Sequence, residues 1–240
     1  MNHKLFDRKL LRQNRVRAAR NFSKHNFLYE EIANRITDNL EFFAREFDSK
    51  LEITHDSSLV RSKWEVMLDD EFLPFKVNSF DLITSNLNFH HINLIPQFLL
   101  QVRDLLKPGG VFIASFFGEE NLSELRNVLF ETESEIYGGI SPRIIPTIDV
   151  KTAAHLLQKA GFTNPVANLE KIAVSYKNPF KLLQDLKMMG QGNVLAARSR
   201  KFFTKKFLAK ILENYQKNYA DAQGNVRATF EVITITGWKK

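Results

Sequence analysis

The order of apolar and polar residues predicts helices and strands in alternation. Between residues 29 and 47 the apolar side chains recur every three or four positions, which is the period of one helix face. Those positions are Ile32, Ile36, Leu40, Phe43 and Phe47. A second helix is predicted over 95–106, and the Pro-Gly-Gly at 108–110 ends it. This region therefore reads as two amphipathic helices with strand-like segments between them.

Short apolar runs rich in β-branched and aromatic residues predict the strands. They lie at 51–53, 64–68, 80–85, 111–117, 169–176 and 228–238. Further helices are predicted at 121–136, with Asn121 as the N-cap and Glu124 as its capping-box partner, at 150–161, at 178–190 and at 202–219. Strands that alternate with helices favour an α/β fold with a doubly wound, mostly parallel sheet.

The organisation of the chain indicates one domain over 1–240, because no linker-like stretch, repeat or low-complexity tract interrupts it. Two additions to a plain α/β pattern stand out. Residues 1–25 predict a basic helix at the start, and residues 177–225 predict a helical insertion before the last strand.

Composition narrows the class of protein. The 240 residues include no cysteine, which excludes disulfides, thiolate metal sites and a cysteine nucleophile. No apolar run approaches the roughly 20 residues of a membrane span, and no signal-peptide pattern opens the chain. We expect a globular protein of a bacterial-type cytoplasm, or of the mitochondrial matrix if the source is eukaryotic.

The net charge of +7 is concentrated at the start of the chain. Residues 1–25 hold eight lysines and arginines against Asp7 alone. A basic helix of this kind can contact an anionic membrane at its inner face, an acidic protein or a nucleic acid. The alternative is a helix that covers the domain and leaves its arginines in solvent, and the pattern leaves both open.

Candidate chemistry follows three predicted strands, where ligands of open α/β sheets bind. The first segment runs from Asp69 and Asp70 to residue 75, the second covers 85–91, and the third covers 117–120. Each segment is also compatible with an ordinary turn. His90-His91 does not predict a metal site, because neighbouring strand side chains point to opposite faces. Gly190-Gln191-Gly192 follows a helix instead of a strand, so it does not predict a nucleotide phosphate loop.

The string at 69–126, which contains the blocks LPF, FDLITS and LLKPGG, resembles the second half of a class I S-adenosylmethionine-dependent methyltransferase. Within that family the chain is similar to the methyltransferase-like assembly factor of respiratory complex I and to the malonyl-carrier methyltransferase of biotin synthesis. The blocks FDRKLLRQNRVRAARNF, GGISPRIIP, LLQKAGF, MGQGN and RATFEVITITGWK carry this similarity.

The resemblance implies a Rossmann-like methyltransferase fold with S-adenosylmethionine at the switch in strand order. It places Asp69, with Asp70 beside it, at the adenine amino group. It places Ser85, Asn86 and Leu87 at the methionine end, and His90 at the family's Leu-His position. In the assembly-factor group it implies hydroxylation of an arginine in a complex I subunit, and hence a protein substrate or assembly partner. No residue of this chain receives a catalytic role from these patterns.

The chain departs from the family after its first strand, where relatives carry a glycine-rich loop. The earliest glycine here is Gly109, and fifteen residues separate Ile53 from Asp69. One βα unit is therefore expected to be missing near strand one. Three hypotheses stay open: an enzyme that binds the cofactor through the remaining half-site, a cofactor-free member that acts through protein binding, and a nucleic-acid-binding protein. The resemblance favours the first two.

Overall fold

A computed structural model describes residues 4–43, 45–54, 65–68, 71–199 and 203–240, with the backbone alone at 65–68. Its contacts divide the chain into two compact units. Unit 1 comprises Met1–His25, Glu120–Pro146 and Lys171–Glu231, and unit 2 comprises Asn26–Glu119, Thr147–Glu170 and Val232–Lys240. The single domain expected over 1–240 stays a prediction.

The described elements alternate as the sequence predicts. The helices are α1 (Arg8–Ala19), α2 (Phe27–Glu41), α3 (Ile95–Leu105), α4 (Ser123–Tyr137), α5 (Val150–Lys159), α6 (Pro179–Met188) and α7 (Lys205–Tyr219). The strands are β1 (Lys50–Thr54), β2 (Glu65–Leu68), β3 (Phe80–Asn86), β4 (Leu106–Phe117), β5 (Phe162–Tyr176) and β6 (Val226–Lys239). Short 3-10 helices cover Phe22–Lys24 and Phe89–His91.

The strands form one sheet in the order β2-β1-β3-β4-β6-β5. β1 runs parallel to both β2 and β3, β3 runs parallel to β4, and β6 is antiparallel to β4. The strand order reverses between β1 and β3, so their carboxyl ends mark the place where such sheets bind ligands. The predicted α/β fold with a mostly parallel sheet is confirmed.

The connection between β1 and β2 is unusually short. β1 ends at Thr54 and β2 begins at Glu65, so ten residues join two parallel neighbours. A parallel crossover that contains a helix takes a dozen residues or more. The expected loss of a βα unit near strand one therefore agrees with this connection and with the six strands that the described residues form.

Unit 2 contains the large apolar core. Buried side chains of β1, β3 and β4 meet one face each of α3 and α5, and two buried isoleucines of β6 complete the cluster. The strands read as near-continuous apolar runs because they are covered by protein, as in parallel sheets generally. This core fixes the carboxyl ends of β1, β3 and β4 relative to one another.

Unit 1 is built on helix contacts. α4 packs against α7 and α1 packs against α6, and Phe6 and Leu11 form a small core with Val194 and Leu195. Asp7 caps α1 by accepting a hydrogen bond from the amide of Leu10 at 3.0 Å. α1 lies within 1–25, and α6 and α7 lie within 177–225, while the division of the chain at those bounds stays a prediction.

Four local predictions were wrong. β4 begins at Leu106 instead of residue 111, so the Pro-Gly-Gly lies inside the strand. α2 ends at Glu41, and Phe43 and Phe47 lie beyond it with their rings 5.8 Å apart. β5 begins at Phe162 instead of residue 169. Asn121 does not cap α4, since its side-chain oxygen accepts from the amide of Glu231, and the N-cap position is Leu122.

Candidate functional site

The carboxyl end of β3 is sealed inside unit 2. Ser85 and Asn86 are each 1% exposed and Leu87 is fully buried. The Asn86 amide nitrogen donates to the backbone carbonyl of Tyr29 in α2 at 2.9 Å. The amide of Leu87 donates to the carbonyl of Ser115 in β4 at 2.8 Å, with Leu87 in the left-handed region at φ 50°. The three predicted residues therefore lie together at one strand end.

Two oxygens at this strand end have no hydrogen-bond partner among the described residues. They are the Ser85 hydroxyl and the side-chain carbonyl of Asn86, and both atoms are buried. A buried polar atom normally finds a partner, because leaving it unsatisfied costs about 1–3 kcal/mol. These oxygens could accept or share hydrogen bonds with the polar groups of a small ligand or an ordered water.

β1 lies directly beside this end of β3. Ile53 is in register with Ser85, and the Asn88 amide nitrogen donates to the carbonyl of Ile53 at 3.0 Å. Glu52 and Thr54 are buried on the same strand. Asn88 thus ties the loop after β3 to the end of β1, a role that the sequence analysis did not assign to it.

Two histidines follow in the 3-10 helix. The rings of His90 and His91 are 4.2 Å apart, and the His90 ring lies 4.7 Å from that of Phe117. The Phe117 amide donates to Nδ1 of His90 at 3.5 Å. Both histidines are buried, so they contribute to packing at this strand end. The described residues include no group of three or more His, Asp or Glu side chains placed to share a metal ion.

Asp69 and Asp70 lie outside the described residues. β2 ends one residue earlier, with Leu68 in register with Thr54 of β1. Glu71, which follows, accepts hydrogen bonds from the Asn93 backbone and side-chain nitrogens at 2.6 and 3.0 Å. The place of Asp69 and Asp70 at the adenine amino group stays a prediction.

The third predicted segment, 117–120, ends at Glu120, which contacts β6. The amide of Glu120 donates to the carboxylate of Glu231 at 3.0 Å, and Glu124 accepts from the amide and hydroxyl of Thr229 at 3.1 and 2.5 Å. These carboxylates hold the start of α4 against β6. They act as structural acceptors, which local sequence patterns do not reveal because their partners are more than a hundred residues away.

The residues at the end of β3 suit one part of S-adenosylmethionine, its methionine end. The unsatisfied oxygens of Ser85 and Asn86 suit the polar methionine end of the cofactor. A glycine-rich loop lets backbone N–H groups approach a ligand without interference from a Cβ atom. No residue before Gly109 can give that approach. The residues present therefore do not fit the whole cofactor in the manner of the family.

Comparison with known proteins gives consistent matches. A family model described as a methyltransferase domain matches residues 43–114. The mitochondrial arginine-hydroxylase NDUFAF5 of Mus musculus is 33% identical over 98% of this chain and 77% of its own length. A malonyl-[acyl-carrier protein] O-methyltransferase of Gallionella capsiferriformans is 28% identical over the whole chain and 93% of its own length.

A solved structure shows the same fold. The S-adenosylmethionine-dependent methyltransferase of Thermotoga maritima, described as a possible histamine N-methyltransferase, superposes with a TM-score of 0.51. The match covers 96% of this chain and all of the Thermotoga chain at 14% identity, so it bears on the fold alone.

The alignments also bear on the missing unit. The match to the mouse protein extends over 266 residues, whereas 98% of 240 is about 235. About 30 positions of the match therefore have no counterpart in this chain. The Gallionella match extends over 280 residues against 240, a difference of 40. An internal shortening agrees with the ten-residue connection between β1 and β2.

With a third of its residues identical to the arginine hydroxylase over nearly all its length, the chain belongs to the class I S-adenosylmethionine-dependent methyltransferase family.

Proposed function

We propose that this chain assists the assembly of respiratory complex I by binding a protein subunit at an arginine-bearing segment. The observation that carries the proposal is the extent of the match to the arginine hydroxylases. The methyltransferase model covers only 43–114, whereas the arginine-hydroxylase match covers 98% of the chain. The malonyl-[acyl-carrier protein] O-methyltransferase also matches the whole chain, but at 28% identity against 33% for the arginine hydroxylase. The higher identity favours the assembly role, because function depends on the particular residues more than on the common fold.

Residues 138–143 of unit 1 offer a surface for that partner. Glu133 accepts hydrogen bonds from the Ser141 amide at 2.7 Å and from Nε of Arg143 at 2.8 Å, which tie Ser141 and Arg143 to α4. Ile140, next to Ser141, is 63% exposed. An exposed apolar side chain beside an anchored residue favours a contact with a partner protein.

The role we propose does not depend on S-adenosylmethionine. Asp69, Asp70, Ser85, Asn86 and Leu87 remain the predicted cofactor contacts. Asn86 already donates to the carbonyl of Tyr29, and the glycine-rich loop is missing.

We place the protein in a bacterial-type cytoplasm or the mitochondrial matrix, and at the inner face of the membrane through α1.

Thermal unfolding with S-adenosylmethionine or its demethylated product tests the cofactor part. A ligand at 100 times its Kd adds about 2.7 kcal/mol, which for a protein of this size raises Tm by roughly 5–10 °C. We expect no measurable shift. A clear shift would show that the cofactor binds, and Asp69→Ala and Asn86→Ala should then abolish it.

Complementation tests the assembly part. Deletion of the gene is expected to lower the amount of assembled complex I on native gels, and the wild-type chain should restore it. Ile140→Asp should fail to restore assembly, whereas the matched exposed change Val77→Asp, in unit 2, should restore it. Normal assembly in the deletion strain would refute the proposal. The fold of each variant is checked by its thermal unfolding.

A further inference from the structure

The surface of α1 and α6 in unit 1 is strongly basic. On α1 the exposed side chains include Lys9, Arg12, Arg17 and Arg20, with Arg20 as the C-cap. Together, α1 and α6 contain a single acidic residue, Asp185 in α6. That carboxylate is buried and accepts from Nζ of Lys181 at 2.7 Å. The exposed face of these two helices therefore presents cations with no carboxylate of its own.

A cavity of about 130 Å³ opens between the same two helices. Its lining comprises Asn14, Arg17 and Ala18 of α1, Lys187 and Met188 of α6, and Gly192. The lining thus combines two cations and an amide with apolar atoms, and it includes no acidic residue. That volume is several times what one water molecule requires, which is enough for one phosphate group.

Gly192 lines one side of this cavity, and Gly190 lies two residues before it. A Cβ atom on Gly190 would lie 3.1 Å from Cγ of Arg15, and one on Gly192 would lie 3.1 Å from the amide nitrogen of Asn14. Gly190 also has φ +73°, which side chains disfavour. The two glycines therefore allow the chain after α6 to approach α1 closely, which keeps the cavity small.

Apolar side chains project from the same helices. Val16 is 75% exposed on α1 and Phe180 is 51% exposed on α6. Basic helices that carry exposed apolar side chains are typical of proteins that lie on a lipid surface, because the apolar groups enter the headgroup region. No described helix is long and apolar enough to cross a membrane.

We propose that the α1–α6 cavity binds the phosphate group of an anionic phospholipid, with Arg17 and Lys187 as its cationic contacts and Asn14 as a further donor. Arginine suits this task because its planar guanidinium donates two parallel hydrogen bonds to phosphate oxygens. Ala18 and Met188 would contact the glycerol carbons. The proposal rests on the membrane contact proposed above and adds a defined headgroup site to it.

Vesicle co-sedimentation of the full chain tests the site. We compare phosphatidylglycerol-containing vesicles with pure phosphatidylcholine vesicles at low salt. Loss of two cations near an anionic surface weakens binding by about 30-fold, at about 1 kcal/mol for each cation. Arg17→Gln/Lys187→Gln is expected to exceed that loss because its cations also contact the phosphate. The matched pair Lys9→Gln/Arg20→Gln removes the same charge outside the cavity, and we expect a loss of no more than about 30-fold.

Soluble glycerol phosphate provides a second readout that separates the headgroup site from general adhesion. We expect it to perturb the NMR signal of the Asn14 side-chain amide in the wild type but not in Arg17→Gln/Lys187→Gln. Free inorganic phosphate in parallel shows whether the glycerol part contributes.

Equal weakening of vesicle binding by both double variants would refute the cavity site and leave a non-specific membrane contact. Absence of vesicle binding by the wild type would refute the membrane contact itself. Stronger competition by an acidic peptide than by glycerol phosphate would assign the cavity to a protein partner and overturn the proposal.

Discussion

Glu133 shows how single residues hold unit 1 together. Its carboxylate is buried in α4, and it accepts from the amide and hydroxyl of Ser141 and from Arg143. The guanidinium of Arg143 in turn lies 4.6 Å from the ring centre of Phe207. A buried carboxylate without such donors would be strongly destabilising. The residue therefore fixes the 138–143 segment and joins α4 to α7.

Replacement of Glu133 by Gln should destabilise the fold. We expect a loss of about 3 kcal/mol at pH 7, because Arg143 then stays in place without its charged partner. Urea unfolding measures the change. Glu135→Gln is the control, since Glu135 is exposed and lies 3.5 Å from Lys210 on the surface. Its loss should stay below about 1 kcal/mol. Equal losses would show that the buried network has no special role.

The effect of Glu133 should also depend on pH. Burial raises the pKa of this carboxyl, but the hydrogen bonds from Ser141 and the charge of Arg143 outweigh burial and hold the pKa below its ordinary value of 4.5. The unfolded chain therefore binds a proton first as the pH falls. The stabilisation is complete above about pH 4.5 and is lost as the pH falls through the lowered value. The gap between wild type and Glu133→Gln should shrink from pH 5 to pH 3.5, and a constant gap would contradict this assignment.

Sequence patterns located residues at strand ends but not their partners. Residues 85–91 were predicted as a ligand segment because they lie at the end of a buried strand, and the resemblance singled out Ser85, Asn86 and Leu87, whose cofactor contacts stay a prediction. Tyr29 carried no signal, and the bond from Asn88 to Ile53 was not predicted, since both act through contacts with residues far along the chain. For the same reason Asn121 and Glu124 were misread as a local cap.

At the scale of elements, β5 shows how a strand can extend beyond its apolar run. The prediction began the strand at 169, whereas β5 begins at Phe162 and passes through Asn164, which has a positive φ of 48°, and Pro165. The strand continues through them because β5 is the last strand in the sheet order. A proline lacks an N–H to donate, so an edge strand tolerates it where a central strand would not. Apolar periodicity beyond α2 likewise extended a helix over Phe43 and Phe47.

The end of α5 offers a test of helix termination. Gly161 follows α5 with φ +88°, in the left-handed region, and a Cβ there would lie 2.8 Å from Nη1 of Arg103. Gly161→Ala should cost about 1–2 kcal/mol in thermal or urea unfolding. Gly139→Ala is the control because its Cβ would meet nothing within 4 Å, and it should change stability by less than about 0.5 kcal/mol. Identical values would show that the backbone at Gly161 relaxes freely.

At the scale of the whole molecule, charge divides between the two units. Unit 1 contains 22 lysines and arginines and 10 acidic residues, a net charge of +12. Unit 2 contains 12 basic and 17 acidic residues, a net charge of −5. The chain total of +7 therefore understates the field around unit 1. Such a field accelerates association with anionic partners and opposes compactness within the unit.

Salt should therefore stabilise the folded chain. Between 20 and 300 mM NaCl the Debye length falls well below the size of a unit, so repulsion among the cations of unit 1 is screened. We expect Tm to rise by about 2–4 °C, equal to about 1 kcal/mol for a protein of this size. Differential scanning calorimetry measures the change. A fall in Tm over the same range would mean that attractive ion pairs outweigh repulsion.

The hydrogen bond from Asn86 to Tyr29 gives this protein a built-in reporter. Any molecule that reaches the end of β3 and takes the Asn86 amide must first release the carbonyl in α2. The side-chain NH₂ resonances of Asn86 would move on such displacement, whatever the identity of the incoming molecule. Screening compounds against that one pair of signals would detect occupancy of the strand end without knowledge of a reaction.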